Sequence, residues 1–581
     1  MNPYQGRPDP RLGPPGKSEG RGDERKRGQA RKFISYRNTS RVHWIESIAK
    51  QLISKTKEKD TIIGNGGLSV SGLQHVGRLR GEITIVDTVL RMAREMSGKD
   101  TRHLLTLYTV DAWKGKEGQL KQFRDIEEAR SYIGWPLFRV PDPYGCHGSW
   151  VEHYWDEFGS YLDKFAEKVE VVTTKELYEK NERMRKFVLL SVTTLREKVV
   201  ETINKYRGEK KLSENAVPFQ PICEKCGRID TTEAVEVDLV NYRVKYVCKN
   251  CGHEGWQSLS AGKLNWRVEW VGVWYSLNVM FEPYGKDHAT PGGSRDSCND
   301  LASNVYGFEP PLGLAYEWVG YRSKGKDLGD MGSSDFIGFS PRKWVEVAEP
   351  EVLRFLYLLS PPMRRVVLSL EEVPSYYDNF DKAERIFYGL EEGEEEVAQS
   401  YKLSFVRPLP SKPPFQVRYI NAMILSQVLP SRGEDLGEVI QRLKETKQLN
   451  RDLEPWELER IKTRISLAKK WLELYAPEYY HISIVQEPPL QELSRVVDES
   501  IARMLGELAK SLESMESWDE ESIKNAMMSL KKDKEVEKKF FAALYLTFFG
   551  RPSGPRIAPY LAMLNKDFVV ERLKKASEVS G

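Results

Sequence analysis

The sequence predicts an α/β chain: a doubly wound parallel sheet carrying a small cysteine-bearing insertion, followed by an all-α C-terminal region. Three observations support this. Between residues 61 and 111 a strand, a glycine-rich turn, a helix and a second strand succeed one another, which is the order of a βαβ unit and hence of a parallel sheet. Two Cys-x2-Cys pairs interrupt the pattern between Cys223 and Cys251. Beyond about residue 345 strand signals fade, and helical periodicity runs to the end.

The chain has 581 residues, 40% hydrophobic and 30% charged. This is the composition of a multidomain globular protein. No apolar run reaches the roughly 18 residues of a membrane span, so no membrane partner is expected. The N-terminus lacks the apolar core of a secretory leader. Six cysteines in this length point to a reducing, cytoplasmic setting rather than a disulfide scaffold. Net charge is +3 overall, and residues 1–32 hold nine Lys/Arg against four Asp/Glu, so the rest carries −2. With six Gly and five Pro in the same stretch, residues 1–40 are expected to be a disordered basic extension, read as a loose appendage or an early start rather than a nucleic-acid arm.

Residues 41–60 place Val42, Trp44, Ile45, Ile48 and Leu52 on one helical face. "DTIIGNGGLSVSG" reads as a strand entering a glycine-rich turn. "HVGRLRGEITIVDTVLRMAREM" follows as a helix with Val76, Leu79, Ile83, Val86, Leu90 and Ala93 as its buried stripe. "TRHLLTLYTVD" is the next strand. Residues 155–215 are charged and helical in period, and 265–320, rich in Trp and Tyr, return to the sheet pattern. The acidic "EEGEEE" at 391–396 and "RPLPSKPPF" at 407–415 read as loops, and "LEPWELERIKTRISLAKKWLELYAPE" as an amphipathic helix with a proline stop. The expected organisation is 41–219 and 257–345 as two halves of one catalytic domain, with 220–256 as an insertion. A connecting helical region at 346–400 and a helical C-terminal region at 401–581 complete it.

Cys223, Cys226, Cys248 and Cys251 form two knuckles, each followed by glycine, at Gly227 and Gly252. Four thiolates suit a tetrahedral, closed, structural Zn2+ in a zinc-ribbon-like fold. A redox pair is the alternative. His253 and His147 are candidates for ligand exchange, and Cys146 and Cys298 are expected to be free thiols with packing roles.

The stretch "GGLSVSGLQHVGRLRGEI" places His75-Val76-Gly77-Arg78 at the head of the helix after the first strand. Free amides and the positive end of the helix dipole suit phosphate there. Glycine permits close approach, and histidine can donate to charge developing on phosphorus. A satisfied core histidine is the alternative reading of four residues alone.

Further segments follow in order: "VHWIESIAKQLI", "VPDPYGCHGSWVEHY", "FEPYGKDH", "YEWVGY", "EVAEPEVLRFLYL", "YYDNFDKAERIFYG" and "RPSGPRIAPYLAMLNKDFVVERL". Together they resemble the class I lysyl-tRNA synthetases of archaeal type over about residues 42–575. The resemblance implies a Rossmann-type catalytic domain and an all-α C-terminal anticodon-binding region. It implies ATP, with Mg2+, lysine and tRNA (tRNA-Lys) as partners, and a monomer. His75, Gly77 and Lys326 would be catalytic. Ser71, Gly72, His75, Gly77, Gly285, Lys286, Asp287 and His288 would meet ATP or the adenylate. Gly67, Ser69 and Trp270 would meet the amino acid. "Lys462-Thr463-Arg464" and Arg551 with Arg556 are candidate RNA contacts.

The sequence departs from the family at the chemistry. Gly81 stands where the family has the glutamate that holds the substrate ammonium, and Glu82 is a further 100° around an α-helix. Arg78 replaces an asparagine. In the ungapped register of the second signature loop, Asp330 and Asp335 stand at both lysine positions. In a gapped register, with "DLGD" an insertion, Lys326 serves as the first lysine. Asp111 remains of the acidic residues after the second strand. The expected function is lysine activation and transfer to tRNA. The alternative is a synthetase-like protein that has lost aminoacylation and binds RNA or nucleotide, with a changed amino-acid substrate as a third reading.

Overall fold

The computed structural model describes residues 42–208, 211–530 and 533–579; the expected basic extension at 1–40 lies outside them. Five strands form the central sheet: β1 (Thr61–Leu68), β2 (Asp100–Leu107), β3 (Glu170–Thr173), β4 (Phe281–Gly285) and β5 (Leu312–Tyr316). Their order is β5-β4-β1-β2-β3, and every pairing is parallel. β1 and β2 run in register from Thr61↔Asp100 to Leu68↔Leu107. β1 is buried along almost its whole length, as a strand covered on both faces must be. Order reverses between β1 and β4, so the crevice beyond their carboxyl ends is the topological switch point where such sheets take ligands.

Helix α1 (Trp44–Lys55) is capped by His43, whose ring accepts from the Ile45 amide, and buries Ile45, Ala49 and Leu52. The predicted stripe Val76, Leu79, Ile83, Val86, Leu90 and Ala93 is buried throughout. The helix that carries it has two parts: a π-helical stretch, Leu79–Ile85, then α2 (Val86–Ser97), closed by Gly98 at φ 70°. His75 therefore sits in a turn before the helix, not on its first residue.

Several elements differ from the sequence reading, among them the helix Ser294–Asp300 in the region read as sheet; two of them bear on the site. β3 lies inside the region read as wholly helical; at four residues on the sheet edge it is too short to show a period. Helix α3 (Trp266–Leu277) lies inside the region read as sheet. Eight of its twelve residues are buried, and a helix apolar all round has no amphipathic signal to distinguish it from strand.

The insertion is an antiparallel sheet of Thr232–Asp238, Arg243–Cys248 and Glu254–Ser258. Pairing of Phe219–Pro221 with Gly262–Leu264 closes its base. After β5 a hairpin, β6 (Val319–Ser323) and β7 (Lys326–Asp330), turns through Lys324 and Gly325, both at positive φ. Its first strand also pairs with Val366–Leu368. Helices dominate from Pro341 onward, including α4 (Pro455–Leu474). One hydrophobic cluster runs from Leu68 beneath the first signature to Ala576 in the last helix.

Candidate active site and metal centre

The chain leaving β1 wraps the switch point. His75 is buried, and its Nδ1 has no partner. Burial, with the nearby Arg78 charge, pushes its pKa well below the ordinary histidine value, so the ring is neutral. A neutral imidazole with an unused nitrogen can hydrogen-bond a phosphate oxygen without a competing internal ion pair. Gly77 is required by space: a Cβ there would stand 2.8 Å from His75 Nδ1. At Gly72 a Cβ would stand 2.5 Å from the Ser333 carbonyl oxygen.

That last contact comes from the second signature loop. Gly338 packs under the His75 side chain, Phe336 lies against Gly72, and the Val76 amide donates to the Phe339 carbonyl at 2.9 Å. The loop at residues 331–339 therefore closes on the first signature. "DLGD" is part of strand β7, and the structure places Lys326 at the exposed start of that strand, opposite Ser323. Lys326 is thus not among the residues packed on Gly72 and His75. Asp330 accepts from Arg365 Nε at 2.7 Å and Asp335 meets Lys116 Nζ at 3.0 Å.

β4 delivers Gly285, Lys286, Asp287 and His288 to the same crevice. Lys286 pairs with Glu317 at 2.6 Å and lies over the Trp318 ring. His288 is flanked by Trp266 and Trp270, and burial lowers its pKa despite Asp287 3.5 Å away. The nearby Arg78 charge also helps to lower the His288 pKa, as it does that of His75.

Beneath it lies a second, acidic region. Gly67 and Ser69 are more open than their neighbours on β1. A Cβ on Gly67 would meet the Tyr108 ring at 3.1 Å and Glu282 Oε1 at 3.3 Å. Glu282 accepts from Asn65 Nδ2 and Trp270 Nε1, both at 3.1 Å, and from Trp274. Burial pushes its carboxyl up to about 7, against the nearby Arg295 charge. Lys263 bridges Asp111 and Glu269, the latter at 2.6 Å. Three carboxyl groups thus surround Tyr108 with two internal cations, Lys263 and Arg295, and the buried Tyr108 hydroxyl has no partner. Burial pushes Glu269, like Glu282, up to about 7, so the group carries no fixed excess charge, and a cationic guest would draw these acids into their ionised form.

Sequence reasoning missed Tyr108, Lys263, Glu269, Glu282 and Arg295. Glu282 was visible as an acid inside an otherwise buried strand; the others carried no local signal.

Gly81 is not a position from which a carboxylate could reach the site. A Cβ there would overlap the Tyr316 ring at 2.2 Å. Glu82 follows on the π-helical turn, where successive residues are not 100° apart. Its carboxylate is buried, pairs with Arg78 at 3.3 Å, and leaves Oε2 without a partner.

In the insertion, Sγ atoms of Cys223 and Cys251 lie 3.7 Å apart and those of Cys226 and Cys248 3.6 Å. Tetrahedral zinc with bonds of about 2.3 Å requires sulfur separations of about 3.7 Å, so the donors fit that ion. Gly227 and Gly252 adopt φ of 75° and 70°, and each amide closes its knuckle on Cys223 or Cys248. Trp135 Nε1 donates to the Cys226 carbonyl at 2.9 Å, fixing the module to the body. His253 packs on Tyr246. His147 is elsewhere, converging with Asp142, Cys146 and His153. Cys298 is buried as expected, but Cys146 is exposed rather than packed.

Of the RNA candidates, Lys462, Thr463 and Arg556 are exposed. Arg464 is buried against Asp381 at 2.8 Å and over Tyr377, so it is a core ion pair and cannot meet RNA. Arg551 donates to the Tyr479 carbonyl.

Residues 42–407 match the family model described as tRNA synthetases class I (K), and residues 438–577 match an anticodon binding domain. The chain is 47% identical to a lysine--tRNA ligase of Aeropyrum pernix, over 93% of this chain and 98% of that one. It is 34% identical to a lysine--tRNA ligase of Pyrococcus horikoshii, over 92% and 99% respectively.

Proposed function

The chain belongs to the class I lysyl-tRNA synthetase family, and we propose that it activates lysine with ATP and passes the lysyl group to tRNA. The observation that supports this most is the convergence of His75, Gly72 and the 331–339 loop at the switch point, above a buried acidic pocket. In this reading the lysine carboxylate attacks the α-phosphorus of ATP and pyrophosphate leaves. A hydroxyl of the tRNA 3′ end then attacks the adenylate carbonyl, forming the lysyl ester and releasing AMP, with no covalent enzyme intermediate. Neutral His75 and the neighbouring amides hold phosphate oxygens, and catalysis is positioning with charge stabilisation. Gly67, Ser69 and Trp270 line the amino-acid side. Glu82 Oε2 and the acids around Tyr108 supply the negative field for an ammonium, which removes the need for a carboxylate at position 81.

Magnesium accompanies ATP as its counter-ion. The four cysteines hold a structural zinc that orders the insertion. The C-terminal helices bind tRNA through exposed cations such as Lys462 and Arg556, and the protein acts as a cytoplasmic monomer. The second reading, a chain that binds nucleotide and RNA without aminoacylating, draws on Asp330 and Asp335 in the signature loop. ATP–pyrophosphate exchange with each amino acid, followed by tRNA charging, decides between them. Lysine-dependent exchange and charging are expected. ATP binding without exchange for any amino acid establishes the second reading, and exchange with another amino acid establishes changed specificity.

A further inference from the structure

The two aspartates of the loop region that the sequence reading sets against signature lysines, Asp330 and Asp335, each have a cation against them from another segment. Asp330 faces Arg365, and Asp335 faces Lys116. These cations differ in what else they hold. Arg365 makes three hydrogen bonds, one to Asp330 and two to Asp327, so its donors are committed to the hairpin. Lys286 is likewise held by Glu317 at 2.6 Å. The Lys116 ammonium meets a single carboxylate, Asp335, at 3.0 and 3.2 Å. Both partners are about half exposed, at 43% and 51%. A pair of this kind contributes about 0–1 kcal/mol and exchanges readily for a more highly charged anion.

The backbone sets this ammonium at the site. The Lys116 amide donates to Gln119 Oε1 at 2.8 Å, and Gln119 Nε2 donates to the Ser71 carbonyl at 2.8 Å. A Cβ on Gly118 would stand 2.9 Å from the Ser334 carbonyl oxygen. The 116–119 segment is thus wedged between the first signature at Ser71 and the second at residues 334–335. It places a lysine ammonium within 3.0 Å of Asp335, in the loop that closes on Gly72 and His75.

We propose that Lys116 is the cation that contacts the β- and γ-phosphates of ATP in this chain, with Asp335 as the counter-ion that holds the ammonium in place until the phosphates displace it. This rests on the reading of the crevice as an ATP site. It assigns the phosphate-binding charge to the segment after β2 instead of to the signature loop, and it makes Asp335 a competitor of ATP instead of a ligand to it.

The test is calorimetric binding of ATP and of AMP, each with magnesium, to the full chain, with pyrophosphate exchange in parallel. Lys116→Ala is expected to weaken ATP roughly tenfold or more, the loss of about one charged contact, and to leave AMP unchanged. Asp335→Asn is expected to bind ATP as well as or better than wild type. The exchanged pair Lys116→Asp with Asp335→Lys is expected to recover ATP binding to within about threefold, because the ammonium returns to the same place from the other side. Where wild type exchanges, Lys116→Ala is expected to slow it by about 10²–10³.

Equal losses in Lys116→Ala and Asp335→Asn would show a structural latch and overturn the proposal. Unchanged ATP affinity in Lys116→Ala, equal weakening of AMP, or no ATP binding by wild type would also overturn it. Absence of lysine-dependent exchange in a wild type whose ATP affinity still depends on Lys116 would overturn the synthetase reading and leave this assignment standing.

Discussion

Replacing Gly81 tests whether that position is a lost ligand or a packing constraint. An alanine Cβ would stand 2.2 Å from both Cε1 and Cζ of Tyr316 and 2.6 Å from its hydroxyl oxygen. Ordinary carbon contacts lie at about 3.5–4.0 Å, so the ring would have to move by more than about 1 Å. Tyr316 is 8% exposed and is the last residue of β5, so the backbone cannot simply give way. Overpacking of a core costs about 1–3 kcal/mol, and exchanging Gly for Ala in a helix returns up to about 1 kcal/mol. With an overlap this deep the upper end applies, and Gly81→Ala should destabilise by about 2 kcal/mol. Thermal unfolding of the variant should fall by a few degrees on the scaling for large domains. Gly81→Glu, which would restore the family carboxylate if position 81 faced the substrate, should lose at least as much stability and gain no affinity for lysine. Combining Gly81→Ala with Tyr316→Ala should cost less than the sum of the two, because the second change removes the atoms that the first one strikes. A Gly81→Ala protein as stable as wild type, or a Gly81→Glu protein with improved lysine-dependent exchange, would refute this reasoning.

Four other outcomes are expected. Purified protein should contain about one zinc per chain, and Cys248→Ser should abolish it while leaving the unfolding of the C-terminal helices unchanged; metal-free wild type prepared without chelator contradicts this. Lys462→Ala should lower the salt slope of tRNA binding by about one unit without loss of stability. Arg464→Ala should destabilise the fold by about 3–5 kcal/mol by leaving Asp381 buried and unpaired; wild-type melting of Arg464→Ala would show that this pair is not structural. Glu282, raised in the fold from 4.5 to about 7, is protonated in the native state but ionised in the unfolded chain between those values. The native state then binds the extra proton, and stability falls as pH rises through the window, by about 3 kcal/mol for this one group. Glu282→Gln should therefore gain stability relative to wild type from pH 5 to pH 8; parallel melting-versus-pH curves would contradict the assignment.

The parts of this protein legible in the sequence are those whose physics is local. Val76, Leu79, Ile83, Val86, Leu90 and Ala93 form a helical stripe by spacing alone, and all are buried. Four cysteines in two knuckles define their own cluster, because the donor atoms and the turns that present them lie within each short motif. Helix α3 was misread because burial on all sides erases its period, and β3 because four edge residues hold none. The acidic pocket was illegible because Tyr108, Lys263, Glu269, Glu282 and Arg295 are joined only through the sheet and the helix packed on it. Nothing local marked Arg464 as buried either: in sequence it is one more basic residue on an amphipathic helix, and only Asp381, 83 positions away, makes it part of the core.

The substitutions at the signatures show the same limit in its most consequential form. Read along the chain, a glycine for a glutamate and two aspartates for two lysines look like a site losing its charges one at a time. In space each change has a neighbour that answers it. The Tyr316 ring fills the volume over Gly81, the buried Glu82 carboxylate pairs with Arg78, and Lys116 and Arg365 stand against the two aspartates. Random loss would leave orphaned aspartates repelling one another and a cavity at residue 81; instead the loop remains closed on Gly72 and His75 with both aspartates paired. Pairing of this kind is what a site retains when its charges are redistributed among segments. It is therefore in the arrangement of these cations, and not in the spelling of the two signatures, that an active enzyme and a silent relative of it would differ.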